Sequence, residues 1–354
     1  MKNRVEVLPS ELVPLADLRN FLNEYFSCHI YSDENFFTWQ HGIGIANGCE
    51  NASYVSVDQQ QGINGFLSAW TLRYRADGCD DLEVTQSSNI VSLGNSLAYP
   101  ALMGKLHQHP VIFAANMSPK VIPSQYAYGY QHSHLVRLFC FFAIPKFLRK
   151  LPRLALYRPK NSELLPEASI ESTGDVNEFL TINLNLNSID KKYRYSQASF
   201  LWRYCQHPYF NYKYLLFRTK VGRLIIIYRL QKSIENDTLM RIATISGDLN
   251  SLKFIMNPFR EFCIDNRVAF VDISSNSYTL QDQLTAAGWI SDIIHRSIKI
   301  PLKFAPPTET PFATHPIAFR TTVGHLYYRS FNITASDIDC DRPTTFGLLN
   351  QLYI

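Results

Sequence analysis

Apolar residues near the start of the chain recur at three- and four-residue spacing, which is the period of an amphipathic helix. This pattern predicts a helix over residues 8–31 that begins near Ser10 and Glu11, because small polar and acidic residues favour helix N-termini. Farther on, residues 54–57 and 65–70 form two strand-like runs on either side of a polar turn. Together they predict a β-hairpin.

The pattern after this hairpin predicts further strands and helices. A strand at 81–91 leads into the loop Ser92-Leu93-Gly94-Asn95-Ser96-Leu97, and a helical pattern follows this loop. We then predict a buried strand at 111–116, a helix at 124–134 and a strand at 136–144. These elements complete one α/β unit.

The same order of elements recurs in the second half of the chain. Residues 214–219 and 223–229 predict a hairpin, 238–246 predict a strand, and the loop Gly247-Asp248-Leu249-Asn250-Ser251 opens a helix. The unit ends with a strand at 269–274, a helix at 279–287 and a strand at 290–301.

Two aromatic segments mark this repeat. They are Phe37-Thr38-Trp39-Gln40-His41 and Phe200-Leu201-Trp202-Arg203-Tyr204, with a period near 163 residues. The shared order favours an internal duplication; the alternative is a chance similarity of two helix ends. We predict an α/β (α+β) fold with two tandem domains, residues 1–150 and 151–354, joined through a connector within 145–195. Each domain is expected to hold a mixed, mostly antiparallel sheet flanked by helices.

Composition narrows the classes of protein to consider. The chain has 354 residues, of which 46% are apolar and 18% are charged, so it can build two cores and is not expected to be disordered. A net charge of +4 gives little reason to expect nucleic-acid binding. Seven cysteines without a CxxC pair fit reduced thiols in the cytoplasm. The longest apolar run, 138–144, is too short to cross a bilayer, and no apolar leader segment follows Met1.

Two phrases resemble a known superfamily. The segment 200–208, which ends in His207-Pro208, and the acidic phrase Asp337-Ile338-Asp339-Cys340-Asp341-Arg342-Pro343 are similar to parts of tandem Gcn5-related N-acetyltransferases (GNAT). The order of elements also resembles the GNAT fold. This resemblance implies two GNAT-like domains that move an acyl group from acetyl-CoA or 3-hydroxybutanoyl-CoA to a nucleotide-linked amino sugar. The implied acceptor is of the dTDP-3-amino-3,6-dideoxyhexose type, used for O-antigen or capsule.

The glycine loops depart from the acyl-CoA loop of that superfamily, which usually reads Gln or Arg, two residues, Gly, any residue, Gly or Ala. A pyrophosphate at a helix start needs small residues and is repelled by a carboxylate. The first loop meets both demands, whereas Asp248 in the second suits a helix cap. We therefore predict that acyl-CoA is bound by the first half and that the second half shapes the acceptor pocket. The predicted cofactor-binding residues are Ser92, Leu93, Gly94, Asn95, Ser96 and Leu97; the alternative is a plain turn before a surface helix.

Direct attack of an amine on a thioester requires the protein to position both reactants, polarise the carbonyl and accept a proton. We predict Asp337, Asp339 and His134 as candidate proton acceptors, since repulsion between nearby carboxylates raises at least one pKa. Aspartates at every second position, as in residues 337–341, also begin a calcium-binding EF-hand loop. Arg342 and Leu348, however, stand at the sixth and twelfth positions, where an EF-hand needs Gly and Glu. The alternative for this phrase is a solvated acidic turn.

The predicted substrate-binding residues are those that suit a sugar nucleotide. Trp39 and Trp202 can stack on it, and Arg203 can pair with its diphosphate. Asp341 and Arg342 complete the predicted acceptor site. For the two tryptophans, the alternative to substrate binding is packing in the core. The ten histidines show no metal-ligand spacing, so we predict no metal.

Two other functions stay open at this point. A FemAB-like aminoacyltransferase also uses doubled acyltransferase folds, but it takes aminoacyl-tRNA and normally needs a basic surface. A non-catalytic double domain that binds a sugar nucleotide or a partner protein is the third hypothesis, because neither glycine loop is complete.

Overall fold

The computed structural model describes residues 5–25, 33–42, 48–58, 62–75, 81–93, 97–115, 119–143, 168–176, 194–233, 236–292, 315–331 and 333–334. Its strands are β1 (Val5–Pro9), β2 (Cys49–Asn51), β3 (Tyr54–Asp58), β4 (Gly62–Arg75), β5 (Leu82–Ser92), β6 (Val111–Ala115), β7 (Gln131–Phe141), β8 (Ala168–Asp175), β9 (Arg194–Tyr195), β10 (Lys213–Thr219), β11 (Arg223–Lys232), β12 (Thr238–Gly247), β13 (Val268–Ser275), β14 (Ile290–Ser291) and β15 (His315–Thr321). Its helices are α1 (Leu15–Tyr25), α2 (Glu34–His41), α3 (Ala98–Leu106), α4 (Ile122–Ala127), α5 (Gln197–Phe200), α6 (Leu252–Asp265) and α7 (Tyr278–Ala286). A π-helical turn, Leu201–Cys205, continues α5.

These strands form one sheet in the order β1-β3-β4-β5-β6-β15-β7-β13-β12-β11-β10-β8, with β2 and β9 paired to β4 and β14 paired to β7. The β5–β6 and β12–β13 pairs are parallel. The other pairs of described strands are antiparallel. The fold class predicted from the sequence, a mixed and mostly antiparallel sheet flanked by helices, is confirmed.

The two halves of the chain exchange their last described long strands. β7 follows the first unit but pairs with β13 of the second, while β15 follows the second unit and pairs with β6 of the first. β7 and β15 also pair with each other at the centre of the sheet. Each half therefore completes the sheet of the other. Separating the halves would break backbone hydrogen bonds on both sides.

The predicted helix over residues 8–31 is wrong at its start. Val5–Pro9 is a strand that pairs with Tyr54–Asp58, and α1 begins only at Leu15, after Pro14. Proline lacks an N–H and fits the first turn of a helix, so Pro14 is compatible with a helix start at this place. The helix ends at Tyr25 in the described residues.

The predicted helix over residues 124–134 is also wrong in its second part. α4 ends at Ala127, and Gly129 follows in a left-handed conformation with φ of 81°. The N–H of Tyr130 closes this turn on the carbonyl of Gln125 at 3.0 Å. The tyrosine-rich segment therefore leaves the helix, and β7 begins at Gln131.

Other predictions hold. The first hairpin (β3 and β4), the second hairpin (β10 and β11) and the strand and helix that follow each of them are present. α3 buries Leu102, Met103 and Leu106 against Ile112 and Ala114 of β6, as the helical pattern indicates. The sequence pattern did not predict β8 and β15. The predicted domain boundary near residue 150 and most of the predicted strand at 290–301 lie outside the described residues.

Candidate functional site

A parallel strand pair in the first half separates part of the way along its length. β5 and β6 pair only over Thr85–Ser87 and Ile112–Ala114. Immediately afterwards the β4–β5 register shifts, because Ser68 faces Asn89 while Ala69 faces Ser87. Ser88 is thus the extra residue of a β-bulge, a feature that bends a strand and redirects side chains. β5 continues to Ser92 beyond the described pairing with β6. The place where this parallel pairing ends is called the opening of the pair.

The second half repeats this arrangement. β12 pairs in parallel with β13 only from Thr238 to Arg241, and a register shift at Ala243 follows. β12 then continues to Gly247. Both halves therefore hold a parallel pair that opens beside a bulge and points toward a loop and a helix N-terminus.

Charged side chains occupy the opening in the second half. Asp272 accepts from Arg137 Nη2 at 2.6 Å and from Arg241 Nη2 at 3.1 Å. Asp272 and Arg137 are almost completely buried. Burial raises the pKa of Asp272, but the guanidiniums of Arg241 and Arg137 lower it more, so the pKa lies below its usual range. At the equivalent opening in the first half, the last parallel pair is the small, neutral pair Ser87 and Ala114. Only the first opening is lined at this point by small uncharged residues.

The helix starts beside the two openings also differ. In the second half a 3₁₀ turn, Leu249–Ser251, leads into α6, and the Asp248 carboxylate caps this turn by accepting from the N–H of Asn250 at 3.0 Å. The predicted cap is thus confirmed for this turn, while α6 itself has no side-chain cap. In the first half α3 begins at Ala98 with no side-chain cap at Leu97 and no acidic residue in its first turn. Leu97 is exposed, and Ser92 ends β5. Of the predicted cofactor loop, Gly94, Asn95 and Ser96 lie outside the described residues.

A buried chain of hydroxyl groups connects the first bulge to a histidine. Ser88 Oγ lies 3.0 Å from Ser68 Oγ, which lies 3.3 Å from Nε2 of His41. On the other side of the ring, Nδ1 lies 2.8 Å from Ser53 Oγ. All four side chains are buried. Sequence reasoning missed this chain because its members come from four separate segments, although His41 ends the first aromatic segment.

The direction of this chain follows from the number of hydrogens available. Ser53 has one hydroxyl hydrogen, and it donates that hydrogen to the carbonyl of Ala69 at 2.8 Å. The Ser53 oxygen must then accept from His41, which places the ring proton on Nδ1. Nε2 of His41 is therefore the acceptor for Ser68, and Ser68 can accept from Ser88. In this tautomer the chain can carry a proton from Ser88 through Ser68 to Nε2 of His41.

The remaining predicted residues lie elsewhere or outside the described chain. His134 is exposed on β7, opposite Pro316 of β15. Asp337, Asp339, Asp341 and Arg342 lie outside the described residues. Where the chain is described, no group of three or more His, Cys, Asp or Glu residues is arranged to hold a metal. No described helix is long and apolar enough to cross a membrane.

Trp39, Trp202 and Arg203 come together between the two halves. The two indole rings stack at 4.5 Å, and the Arg203 guanidinium lies 5.6 Å from the centre of the Trp39 ring. His207, from the second sequence phrase, contacts Trp39 at a ring distance of 4.4 Å. Trp202 and Arg203 are buried. These contacts are those of a core, so sugar-nucleotide binding by the three residues stays a prediction.

Comparison with known proteins identifies the fold. No protein-family model matches this sequence, and no curated protein matches it. A GCN5-related N-acetyltransferase from Anabaena variabilis ATCC 29413 is similar in structure, with a TM-score of 0.51, 12% identity, and coverage of 90% of this chain and 73% of that chain. A conserved protein of unknown function from Enterococcus faecalis V583, described as a probable N-acyltransferase, is also similar in structure. Its TM-score is 0.50 and its identity is 10%, and the match covers 82% of this chain and 70% of that chain. At these identities the likeness establishes the GNAT fold alone.

Proposed function

We propose that the protein is an N-acyltransferase that moves an acyl group from acyl-CoA to the amine of a nucleotide-linked amino sugar. The amine attacks the thioester carbon, the C–S bond breaks, the thiol of CoA leaves, and the protein accepts the proton lost by the amine. The observation that carries this proposal is the bulge at Ser88, which lies at the opening of a parallel strand pair and connects to His41. It places the end of the β5–β6 pairing beside a route for a proton.

The first half is the proposed donor site. Its opening carries Ser87 and Ala114, and its helix α3 starts without a carboxylate. The positive end of the helix dipole at such a start attracts a pyrophosphate. The second half offers the opposite environment, because Asp272 and its two arginines stand at the opening and the Asp248 carboxylate caps the 3₁₀ turn that leads into α6. These contrasts support acyl-CoA binding by Ser92–Leu97.

The proposed proton acceptor is His41, reached through two serines. Ser88 takes the proton from the amine side and passes its own proton to Ser68, which passes a proton to Nε2 of His41. The Nδ1–H of His41 stays hydrogen-bonded to Ser53 at 2.8 Å, which keeps Nε2 toward Ser68. His134, Asp337 and Asp339 remain alternative acceptors from the sequence.

The acceptor substrate rests on the two sequence phrases. They are similar to enzymes that act on dTDP-3-amino-3,6-dideoxyhexoses, which suggests O-antigen or capsule biosynthesis and acetyl-CoA or 3-hydroxybutanoyl-CoA as donor. The proposed compartment is the cytoplasm, and the four described cysteines, Cys49, Cys140, Cys205 and Cys263, are free thiols.

The test is release of the CoA thiol from acetyl-CoA or 3-hydroxybutanoyl-CoA in the presence of a dTDP-linked 3-amino sugar. Gly94→Asp should abolish release, because the added carboxylate repels the pyrophosphate. Asn250→Asp is the matched control, since it adds a carboxylate at the exposed start of the second helix. Loss of release in the control alone would move the donor site to the second half.

Two other outcomes would overturn the proposal. Activity that requires aminoacyl-tRNA would make the protein FemAB-like. A wild-type protein that releases no thiol and shows no heat of binding with CoA in calorimetry would be a non-catalytic double domain.

A further inference from the structure

Five buried polar atoms belong to neighbouring elements of the first half's sheet, beyond the C-terminal end of α3. Within the described residues, each of these atoms lacks a hydrogen-bond partner. They are His107 Nε2, Gln125 Oε1, Tyr130 OH, His132 Nε2 and Arg320 Nη1. Buried polar groups are nearly always hydrogen-bonded in folded proteins, so a concentration of exceptions in one place needs an explanation.

The five side chains share one face of the sheet. His132 on β7 pairs with Ala318 on β15, and Arg320 lies two residues farther along β15. Side chains two positions apart on a strand point to the same face. Tyr130 and Ala318 pack in the same apolar cluster as the buried residues of α3. His107 follows α3, and Gln125 belongs to α4.

Three of the side chains are demonstrably close together. The rings of His107 and Tyr130 are 5.7 Å apart. Burial lowers the pKa of His107, and the positive charge of Arg320 lowers it further. Burial raises the pKa of Tyr130, and the same guanidinium opposes that rise. Arg320 is anchored there because its Nε donates to the carbonyl of Tyr128 at 3.1 Å.

The chemistry of the cluster favours a negatively charged ligand. The guanidinium is a permanent cation and donates only, while the phenol and the two imidazoles can each donate a hydrogen bond; Gln125 Oε1 alone is restricted to accepting. No carboxylate among the described residues forms an ion pair with Arg320. A metal cation would be repelled by the guanidinium.

The site has a buried floor, while His107, His132 and Arg320 are half-buried. Tyr130 is 3% exposed and Gln125 is 5% exposed. Both are held by the turn in which the N–H of Tyr130 bonds the carbonyl of Gln125. Two aromatic contacts hold the imidazoles, since His107 packs on Tyr128 at 4.8 Å and His132 packs on Tyr126 at 4.4 Å between ring centres.

We propose that Arg320, Tyr130 and His107 form a binding site for an oxyanion, either a phosphate or a carboxylate group, with His132 beside them on the same face of the sheet. The guanidinium supplies the charge, and the phenol and imidazoles supply hydrogen bonds. The site is separate from the proposed donor site. α3 runs between the two, and its nine residues span about 13 Å.

The experiment is calorimetry with the full chain and two probes, inorganic phosphate and acetate. Saturable binding of either probe supports the site, and the tighter of the two identifies the preferred oxyanion. Arg320→Met should weaken the binding by about tenfold or more, because hydrogen bonds to a charged group are the strong ones. Arg73→Met is the matched control, since Arg73 is an exposed arginine of the same half, and it should leave the affinity unchanged.

A second variant covers the case in which Arg320→Met does not fold. Tyr130→Phe removes only the hydroxyl. It should leave the anion-free protein as stable as wild type or more stable, because that hydroxyl has no partner in the described structure. The same variant should bind the anion more weakly. Absence of saturable binding of both probes to wild type, or unchanged affinity in Arg320→Met and Tyr130→Phe, would overturn the proposal.

Discussion

Trp39 and Trp202 form a reciprocal pair. Their indole rings stack at 4.5 Å with an angle of 6° between the ring planes. Nε1 of Trp39 donates to the carbonyl of Trp202 at 3.2 Å, and Nε1 of Trp202 donates to the carbonyl of Trp39 at 3.0 Å. Each tryptophan thus donates from its indole N–H to the backbone carbonyl of the other, which is the pattern of an interface with twofold symmetry. The pair and the exchanged strands β7 and β15 support an internal duplication.

This reciprocity predicts a strong energetic coupling between the two tryptophans. Trp39→Phe and Trp202→Phe should each destabilise the protein, and the double variant should cost less than the sum of the two. We expect a coupling free energy of about 1–3 kcal/mol from the stack and the two hydrogen bonds. Chemical denaturation of the four proteins measures it. Trp289→Phe, in the core beside α6, is the control and should be additive with Trp39→Phe; additivity of the reciprocal pair would contradict the prediction.

The proton route predicts that two small changes far apart in sequence have the same effect on catalysis. Ser88→Ala and His41→Gln should each lower kcat by about a hundredfold or more, which is the usual contribution of general base catalysis. The KM for acyl-CoA should change little, because neither residue belongs to the proposed cofactor loop.

His325→Gln is the control for that experiment because His325 is exposed. A loss of activity in His134→Ala, together with full activity in His41→Gln, would instead identify the base expected from the sequence. Circular dichroism of each variant separates a catalytic loss from unfolding.

The sequence predicts the elements that depend on local signals. The two hairpins follow from strand patterns on either side of turn residues, and the cap at Asp248 follows from a carboxylate at a helix start. The exchange of β7 and β15 leaves no such signal, because pairing partners are chosen by tertiary packing. For the same reason the sequence does not predict the hydrogen-bonded chain from Ser88 through Ser68 to His41. The helix predicted through Tyr130 failed because Gly129 adopts a left-handed conformation.

The buried ion cluster in the second half predicts a specific acid sensitivity. Asp272→Asn should destabilise the protein by about 3–5 kcal/mol, since two guanidiniums lose their shared carboxylate. The pKa of Asp272 is lowered in the folded state. Its stabilising contribution is therefore complete above the ordinary aspartate pKa and is lost as the pH falls through the folded-state pKa.

Urea denaturation at neutral and at acidic pH measures this effect. Wild type should lose more stability on acidification than Asp272→Asn, which lacks the titrating carboxyl group. Asp282→Asn, at an exposed position of α7, should behave like wild type at both pH values. An equal loss in wild type and Asp272→Asn would show that the cluster does not contribute.

Two glycines of the first half predict opposite effects of the same substitution. A Cβ at Gly104 or at Gly129 would meet no atom within 4 Å, so neither change creates a clash. Gly104 lies within α3, where alanine is the better helix former, and Gly104→Ala should stabilise the protein by about 0.5–1 kcal/mol. Gly129 has a φ of 81°, and Gly129→Ala should destabilise it by about 1–2 kcal/mol because an L-residue is strained there. Thermal denaturation should therefore shift the melting temperature upward for one variant and downward for the other, and shifts of the same sign would contradict the end of α4 at this turn.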